Sequence, residues 1–467
     1  MQKNSKLKLT FCGGTGSVTG ANFLLEGPLK NIEGEFKLLV DCGLEQGTHQ
    51  ADEFNHKKFI YDPKKIDALL VTHAHMDHIG RVPKLIHDGF EGVIYSTPET
   101  KELAKFMLDD ALKLTTQDAE RTGRAPMYTA EDVHKTFTLW KTIPYHKVEE
   151  LAPGYEVYLK DSGHVLGSSM FEVTYTAEGD HGKRKIVFTG DLGNSPTPLL
   201  RDTEDITDAD YLIMESVYGD KNHEHREDRL NKLERVLKDN HKKGGTLLIP
   251  IFSLEKSQEL LFEIHKLYDD RKIPKMDMYL DSPLAIKLTS VYKKMTADFN
   301  QDAQREAHRH NMFSFPGLHV VETSEESKLI FHKPGPKVIM AGSGMSSGGR
   351  IQHHEAHYLP DENSTIVFIG YQAVGTLGRA IEEGAKVVNI FGQQVEVNAH
   401  IEKIDGYSSH KDSDHLVEFV EKTAKTVRKV FVAMGEAGPS MFLAQRLRDY
   451  LGVKADHPEE GDSVILE

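Results

Sequence analysis

Four side chains able to bind a metal fall within six residues, in the run His73-Ala74-His75-Met76-Asp77-His78. Alternate residues of an extended chain point the same way, so His73 and His75 can grip one ion. Asp77 and His78 are then free to turn toward a second. Imidazole together with carboxylate suits zinc. A polar surface turn is the plainer alternative. Against it, the four candidates directly follow the apolar run Ala68-Leu69-Leu70-Val71, a strand of the buried type.

Two later residues extend the set. His164 lies in Ser162-Gly163-His164-Val165-Leu166-Gly167, and Asp191 in Phe188-Thr189-Gly190-Asp191-Leu192-Gly193. Both stand near predicted strand ends beside glycines, where a metal can be approached closely. Alone, each reads as a turn or capping residue. Beside the histidine motif the ligand role dominates, and Asp191 can bridge two metals through its two oxygens. Asp41 also ends a predicted strand. It can ligate, or it can accept a hydrogen bond from a ligating imidazole; the second role is favoured, because carboxylates orient metal-bound histidines.

Such a site suits hydrolysis of a charged ester. A bound divalent metal brings water to a near-neutral pKa, and two metals also neutralise a developing oxyanion, as a phosphodiester requires. A leaving alkoxide needs a proton. His410 can give one if Glu215 holds its other nitrogen. Without the metal motif, that pair would read as a polar turn and a strand-end acid.

The positioning elements follow from pattern. Strands are expected at Lys8–Cys12, Ala21–Leu25, Phe36–Val40, Ile66–Thr72, Tyr155–Leu159, Met170–Tyr175, Lys185–Thr189 and Tyr211–Met214. Asp41, His73, Asp191 and Glu215 each follow closely on one of them. Pro98–Leu114 has helical periodicity with proline in its first turn. After Glu215 the pattern changes. Helix-like stretches at His225–Asn240, Ser257–Tyr268, Ser282–Met295 and Arg350–Tyr358 alternate with strands at Thr246–Pro250, Met276–Leu280, Lys337–Met340 and Thr365–Ile369. That alternation predicts a parallel-sheet α/β domain. Short strands and helices return near the end, so the second domain is inserted into the first.

Composition sets the class. The 467 residues suit two domains. Hydrophobic residues at 39% and charged residues at 28% are ordinary for a soluble folded chain. No run approaches a membrane span, and Met1–Thr10 lacks a signal-peptide core. A cytoplasmic, soluble protein without membrane attachment is expected. Cys12 and Cys42 read as buried free thiols, in keeping with a reducing compartment. The net charge of -15 counts against a broad nucleic-acid surface but leaves room for a local positive groove.

Further motifs carry a resemblance. They are Glu215-Ser216-Val217-Tyr218-Gly219, Asp281-Ser282-Pro283-Leu284-Ala285, Gly342-Ser343-Gly344-Met345 with Gly348-Gly349-Arg350, Gly370-Tyr371-Gln372 with Gly375-Thr376-Leu377-Gly378-Arg379, and Ser408-Ser409-His410. With Asp41, His73 to His78, His164 and Asp191, their order over nearly the whole chain resembles the metallo-β-lactamase superfamily and, within it, the β-CASP nucleases. The resemblance implies that His73, His75 and His164 hold a first zinc. It implies that Asp77 and His78 hold a second, with Asp191 bridging. Glu215 and His410 match the family's acid–histidine pair, in which the histidine protonates the leaving oxygen. Val217 stands where the family usually has threonine. Met434, in Phe431-Val432-Ala433-Met434-Gly435-Glu436, stands where the family has a histidine ligand of the second zinc. A thioether is a poor zinc donor among oxygens and imidazoles. The second metal is therefore expected to bind more weakly, with manganese as its alternative occupant. His400 is a neighbouring histidine that nothing in the sequence places at the site.

The expected fold is an αββα metallo-β-lactamase sandwich, residues 1–215 and 396–467, with an inserted α/β β-CASP domain, residues 216–395. The metal cleft is expected where the two meet. The expected activity is that of a zinc-dependent ribonuclease on single-stranded RNA, with Asp77, Glu215 and His410 as its catalytic set. Ser343, Gly344, Arg350, Arg379 and Ser409 are candidate phosphate contacts, the first three in or beside a glycine-rich loop that pattern alone would equally make a structural turn. The resemblance also implies a homodimer. Two alternatives stand beside this reading. One is a small phosphodiester or ester hydrolase on the same scaffold, which the net charge favours. The other is a catalytically weak RNA- or partner-binding homologue, which Met434 favours and the otherwise complete ligand set opposes.

Overall fold

Along Tyr155–Asp161 every second residue is buried, the period-two signature of a strand with one face in a core. The computed structural model describes residues 6–46, 51–177, 182–223, 228–309, 311–373, 375–404 and 406–467. These divide into two compact units. One comprises Met1–Thr197, Arg201–Asn222 and Ser409–Glu467, and the other Pro198–Leu200 and His223–Ser408.

Among the described residues, the first unit contains two seven-stranded sheets. One runs in the order Ser463–Ile465, Lys8–Gly13, Asn22–Pro28, Glu35–Val40, Ala68–Leu70, Val93–Ser96, Trp140–Thr142. The other runs Ala455–Asp456, Lys429–Val432, Tyr211–Met214, Lys183–Phe188, Ser169–Thr176, Tyr155–Asp161, Val148–Ala152. Their inner faces share one core, in which Phe11, Phe23 and Leu38 meet Phe171, Phe188 and Phe431. The Phe11 and Phe431 rings stand 5.3 Å apart across the two sheets. Helices Ser413–Glu421 and Ala437–Leu451 cover the outside of the second sheet, burying Leu416, Phe419, Leu443 and Leu447 against Val187, Leu212 and Val430. Helix Pro98–Thr122 follows the strand Val93–Ser96, and its Lys101 ammonium donates to the Trp140 carbonyl at the edge of the first sheet. The result is the expected αββα sandwich.

The second unit is built on a six-stranded sheet, in the order Leu318–Val320, Asp277–Asp281, Lys337–Ala341, Thr246–Pro250, Thr365–Phe368, His400–Lys403. Every pairing in it is parallel. Helices connect its strands, as parallel pairing demands. Its last strand, His400–Lys403, pairs with Thr365–Phe368. The first unit resumes at Ser409.

Other differences from the expected elements have local causes. The strand expected over Ile66–Thr72 is regular only at Ala68–Leu70, because the Thr72 N–H turns to the Asp41 carboxylate. The helix starting at Pro98 runs to Thr122 and stops at Gly123, whose φ of 71° closes it in the left-handed region. The stretch expected helical from His225 is a helix at Arg229–Lys243, and residues 225–227 lie outside the described residues. No helix among the described residues is long and apolar enough to cross a membrane.

Glu355 is buried in the second unit, where the Ser346 hydroxyl donates to it. Burial pushes its carboxyl up to about 8. A raised acid pKa means that the folded state holds a proton which the unfolded chain has lost, so stability falls as pH rises between the ordinary carboxylate range and 8. The maximum slope is about 1.4 kcal/mol per pH unit. Glu355→Gln is expected to raise the thermal unfolding midpoint more at pH 8 than at pH 5.5. An equal gain at both values would contradict this.

Candidate metal centre

The first sheet supplies one wall of the site. Strands Glu35–Val40 and Ala68–Leu70 lie side by side in parallel, with Val40 opposite Leu70. Asp41 and the histidine motif therefore emerge at the same edge. Asp41 has a left-handed backbone, φ 57°. Its Oδ1 accepts from the Thr72 N–H at 2.8 Å, and its Oδ2 accepts from the Thr72 hydroxyl at 2.8 Å and lies 2.7 Å from His78 Nδ1. Past His75 the chain turns into the short helix Met76–Ile79, which redirects Asp77 and His78. This turn packs on Gly43, where an added Cβ would fall 1.5 Å from the Asp77 carbonyl oxygen. Only glycine tolerates that approach.

The second sheet supplies the other wall. His164 lies in the loop between Tyr155–Asp161 and Ser169–Thr176, where the Ser168 hydroxyl accepts from the His164 N–H at 3.0 Å. Strands Lys183–Phe188, Tyr211–Met214 and Lys429–Val432 run parallel in that order, and Asp191, Glu215 and Met434 follow their ends. The Ser169 N–H donates to the Thr72 carbonyl at 2.9 Å and ties the two walls together.

The donor atoms converge. His73 Nε2 lies 3.1 Å from His75 Nδ1, and His164 Nε2 lies 3.2 Å from that same atom. Asp191 Oδ2 lies 3.5 Å from His73 Nε2 and 3.4 Å from His164 Nε2. Ligands about 2.0–2.1 Å from a tetrahedral zinc stand about 3.3–3.4 Å apart, so these spacings are those of the edges of a zinc-sized tetrahedron. A second group consists of Asp77, His78 and Asp191. Here His78 Nε2 stands 3.3 Å from Asp191 Oδ1 and, though buried, makes no well-formed hydrogen bond among the described residues. A buried polar atom without a well-formed hydrogen bond is rare, and once its proton has left, a cation would satisfy this one. Asp191 thus offers one oxygen to each group. The third group, Asp191 with Glu215 and His410, adjoins them. Glu215 is fully buried, takes the Leu192 N–H on Oε1 and lies 3.1 Å from His410 Nδ1 through Oε2. The residues present fit divalent metal ions.

The electrostatics agree. Burial, with the neighbouring His78, holds His73 well below the usual imidazole range, and burial with His410 does the same to His164. Both rings are therefore neutral and carry a lone pair. Burial also lowers His78, but Asp191 and Asp41 outweigh it and raise the ring well above that range. Burial alone would raise Asp191; His78 and His410 hold it far below instead. Burial raises Asp77 and Glu215. It would lower His410, yet Glu215 and Asp191 lift that ring to about 9.

The remaining candidates have partners of their own. The Ser409 carbonyl accepts from the Asn194 N–H at 2.8 Å and stands 3.3 Å from His164 Nδ1, so its backbone steers that ring. Met434 is buried in the inter-sheet core with a left-handed backbone, φ 47°. Its N–H donates to the Gly14 carbonyl at 2.6 Å. His400 is exposed in the second unit, 3.0 Å from Glu402. In that unit the Ser343 hydroxyl accepts from the Ser347 N–H at 3.0 Å, and the Gly344 carbonyl accepts from Gln372 at 2.9 Å. Arg350 is committed to Asp281 at 2.6 Å and to the carbonyls of Val321 and Glu322. Arg379 pairs with Glu383 one turn along its helix at 2.7 Å. The residue that sequence reasoning missed is Thr72, whose hydroxyl touches Asp41, His73 and His78. Its signal was modest: a hydroxyl residue directly before the first histidine.

Comparison with known proteins agrees with this geometry. Residues 30–195 match a metallo-beta-lactamase superfamily domain, 257–381 a Beta-Casp domain, and 394–458 a Zn-dependent metallo-hydrolase RNA specificity domain. The chain is 35% identical over 418 residues to Ribonuclease TTHA0252 of Thermus thermophilus, a match covering 89% of this chain and 91% of that one. It is 29% identical over 467 residues to transcription termination factor FttA of Methanosarcina mazei, covering 97% of this chain and 70% of the other. A crystal structure of a protein of unknown function from Enterococcus faecalis V583 shares the fold, with a TM-score of 0.56 at 13% identity over 99% of this chain and all of that one.

Because His78 is held protonated without metal, loading the site must displace its proton. Zinc titration by calorimetry, in buffers of different ionisation enthalpy, is expected to show proton release near pH 7 and affinity that rises with pH. Binding without proton release would contradict this electrostatic picture.

Proposed function

As the chain belongs to the metallo-β-lactamase/β-CASP family of RNA-processing nucleases, we propose that it is a zinc-dependent ribonuclease that hydrolyses phosphodiester bonds of single-stranded RNA. At the coarser level, its buried clusters fit a metal-dependent hydrolase of phosphodiesters. The observation that carries the reading is the tetrahedral spacing of His73, His75, His164 and Asp191 beside the Glu215–His410 pair. RNA as substrate is supported by the match of residues 394–458 to an RNA specificity domain and by the Thermus relative, which is named a ribonuclease.

When bound, zinc supplies an activated water nucleophile and positive charge for the phosphoryl transition state. His73, His75 and His164 would hold the first ion, and Asp77 and His78 the second, with Asp191 between them. The chain's own proton chemistry falls to His410. Glu215 accepts a hydrogen bond from His410 Nδ1 and orients the ring. Raised to about 9, the imidazole keeps its proton through neutral pH. Its ring is partly exposed, at 22% of the side chain, so the opposite nitrogen can protonate a leaving alkoxide. Free buried cysteines, Cys12 and Cys42, support a reducing compartment such as the cytosol.

Native protein loaded with zinc is expected to cleave single-stranded RNA, and His410→Ala to lower kcat by about 10²–10⁴-fold with zinc content unchanged. Cleavage of small phosphodiesters alone would instead favour the small-ester reading, for which the net charge of -15 speaks. Metal-loaded protein that cleaves neither would favour a binding homologue. Met434 bears on the second ion. With a thioether in place of the family's imidazole, dialysed native protein is expected to keep about one zinc tightly, the second exchanging, whereas Met434→His keeps both. Unchanged stoichiometry in that variant would remove Met434 from the account.

A further inference from the structure

We propose that Thr72 is a positioning residue whose one hydroxyl, acting with Asp41, sets the ring of a histidine in each ligand group and so links the two metal sites. The inference rests on the metal-centre reading above and deepens it. Thr72 is 1% exposed, and Asp41, His73 and His78 are fully buried, so no water competes for their polar atoms. A hydroxyl has one proton to donate and lone pairs to accept with. The Asp41 carboxylate, 2.8 Å away, takes that proton. The lone pairs of Thr72 Oγ1 then face His73 Nδ1 at 3.0 Å. That nitrogen must be the donor. His73 is therefore the Nδ1–H tautomer, and its Nε2 lone pair points among His75 and Asp191.

The same oxygen of Asp41 holds the other group. His78 Nδ1 donates to Asp41 Oδ2 at 2.7 Å, with Thr72 Oγ1 a more distant second acceptor at 3.3 Å. His78 Nε2 is thereby aimed at Asp191. Asp41 is fixed in turn, because its Oδ1 accepts from the Thr72 backbone N–H. Gly190, at φ 53°, leaves room for this cluster; a Cβ there would lie 2.8 Å from the Thr72 hydroxyl oxygen. The two histidines are not held equally. His78 has both Asp41 and Thr72, whereas His73 Nδ1 has Thr72 alone among the described residues. Loss of the hydroxyl strands a buried N–H on His73 and frees the ring to take the opposite tautomer, which withdraws its lone pair from the metal. The first site should suffer more than the second.

The test uses full-length Thr72→Val, Thr72→Ser and native protein, with zinc affinity measured by chelator competition and geometry by the visible absorption of cobalt(II)-loaded protein. Thr72→Val is expected to bind its tightest zinc about 10–100-fold more weakly and to change the cobalt spectrum. Thr72→Ser, which keeps the hydroxyl, is expected to restore both. Should Thr72→Val fail to fold, judged by circular dichroism of the zinc-free protein, Thr72→Ala takes its place. Native-like affinity in the hydroxyl-free variant, or a Thr72→Ser as weak as that variant, would overturn the inference while leaving the metal centre intact. A native protein that binds no zinc would overturn both.

Discussion

The Asp191 carboxylate stands between two sets of imidazoles, with Oδ2 within 3.5 Å of His73 and His164 and Oδ1 3.3 Å from His78. It is 4% exposed. Carrying a carboxylate and several imidazoles out of water is unfavourable unless charge and hydrogen bonds compensate. Without an ion the compensation is partial. His78 supplies a positive charge, yet among the described residues its Nε2 makes no well-formed hydrogen bond, and the ring nitrogens of His73, His75 and His164 stand 3.1–3.2 Å apart. A cation in each group relieves these conflicts at once. The surrounding structure therefore holds donors at spacings that could coordinate a divalent cation.

That requirement explains the sandwich. Two sheets with a common core present their strand ends along one edge, and each contributes part of the ligand set. The parallel neighbours Glu35–Val40 and Ala68–Leu70 deliver Asp41 and the histidine motif. The parallel run Lys183–Phe188, Tyr211–Met214 and Lys429–Val432 delivers Asp191, Glu215 and the segment ending at Met434. Strands are stiff supports, so donors set just past their ends keep their spacing. Hydrogen bonds behind the ligands complete the task. Asp41 and Thr72 orient rings from the first sheet, and the Ser409 carbonyl and Ser168 hydroxyl steady His164 from the second. In the second unit, by contrast, a ligand-like set closes on itself. Asp281 takes bonds from Arg350 and His354, and that charge network braces a parallel sheet end.

The sequence made the chemistry more legible than its supports. Four potential ligands in six residues after an apolar strand identify a metal motif because few other demands select that composition. The long strands and helices around the two cores were equally readable from periodicity. Short edge strands such as Trp140–Thr142, Val148–Ala152 and Leu318–Val320 were not, because three to five partly exposed residues carry little alternation. Arg350 beside a glycine-rich loop is a candidate phosphate contact, and only the fold reveals its partner Asp281, 69 positions away. Thr72 escaped for the same reason. Its role depends on Asp41, 31 residues earlier, and nothing local distinguishes it from an ordinary strand-end threonine.

Whether the converging donors hold a metal decides the chemistry of the site. X-ray absorption at the zinc edge of protein purified with zinc and dialysed measures this directly. Zinc in this site is expected to show nitrogen and oxygen neighbours at about 2.0–2.1 Å, with the outer-shell scattering of several imidazole rings and no sulfur in the tight site. A shell dominated by sulfur, or by water oxygens without imidazole scattering, would contradict it.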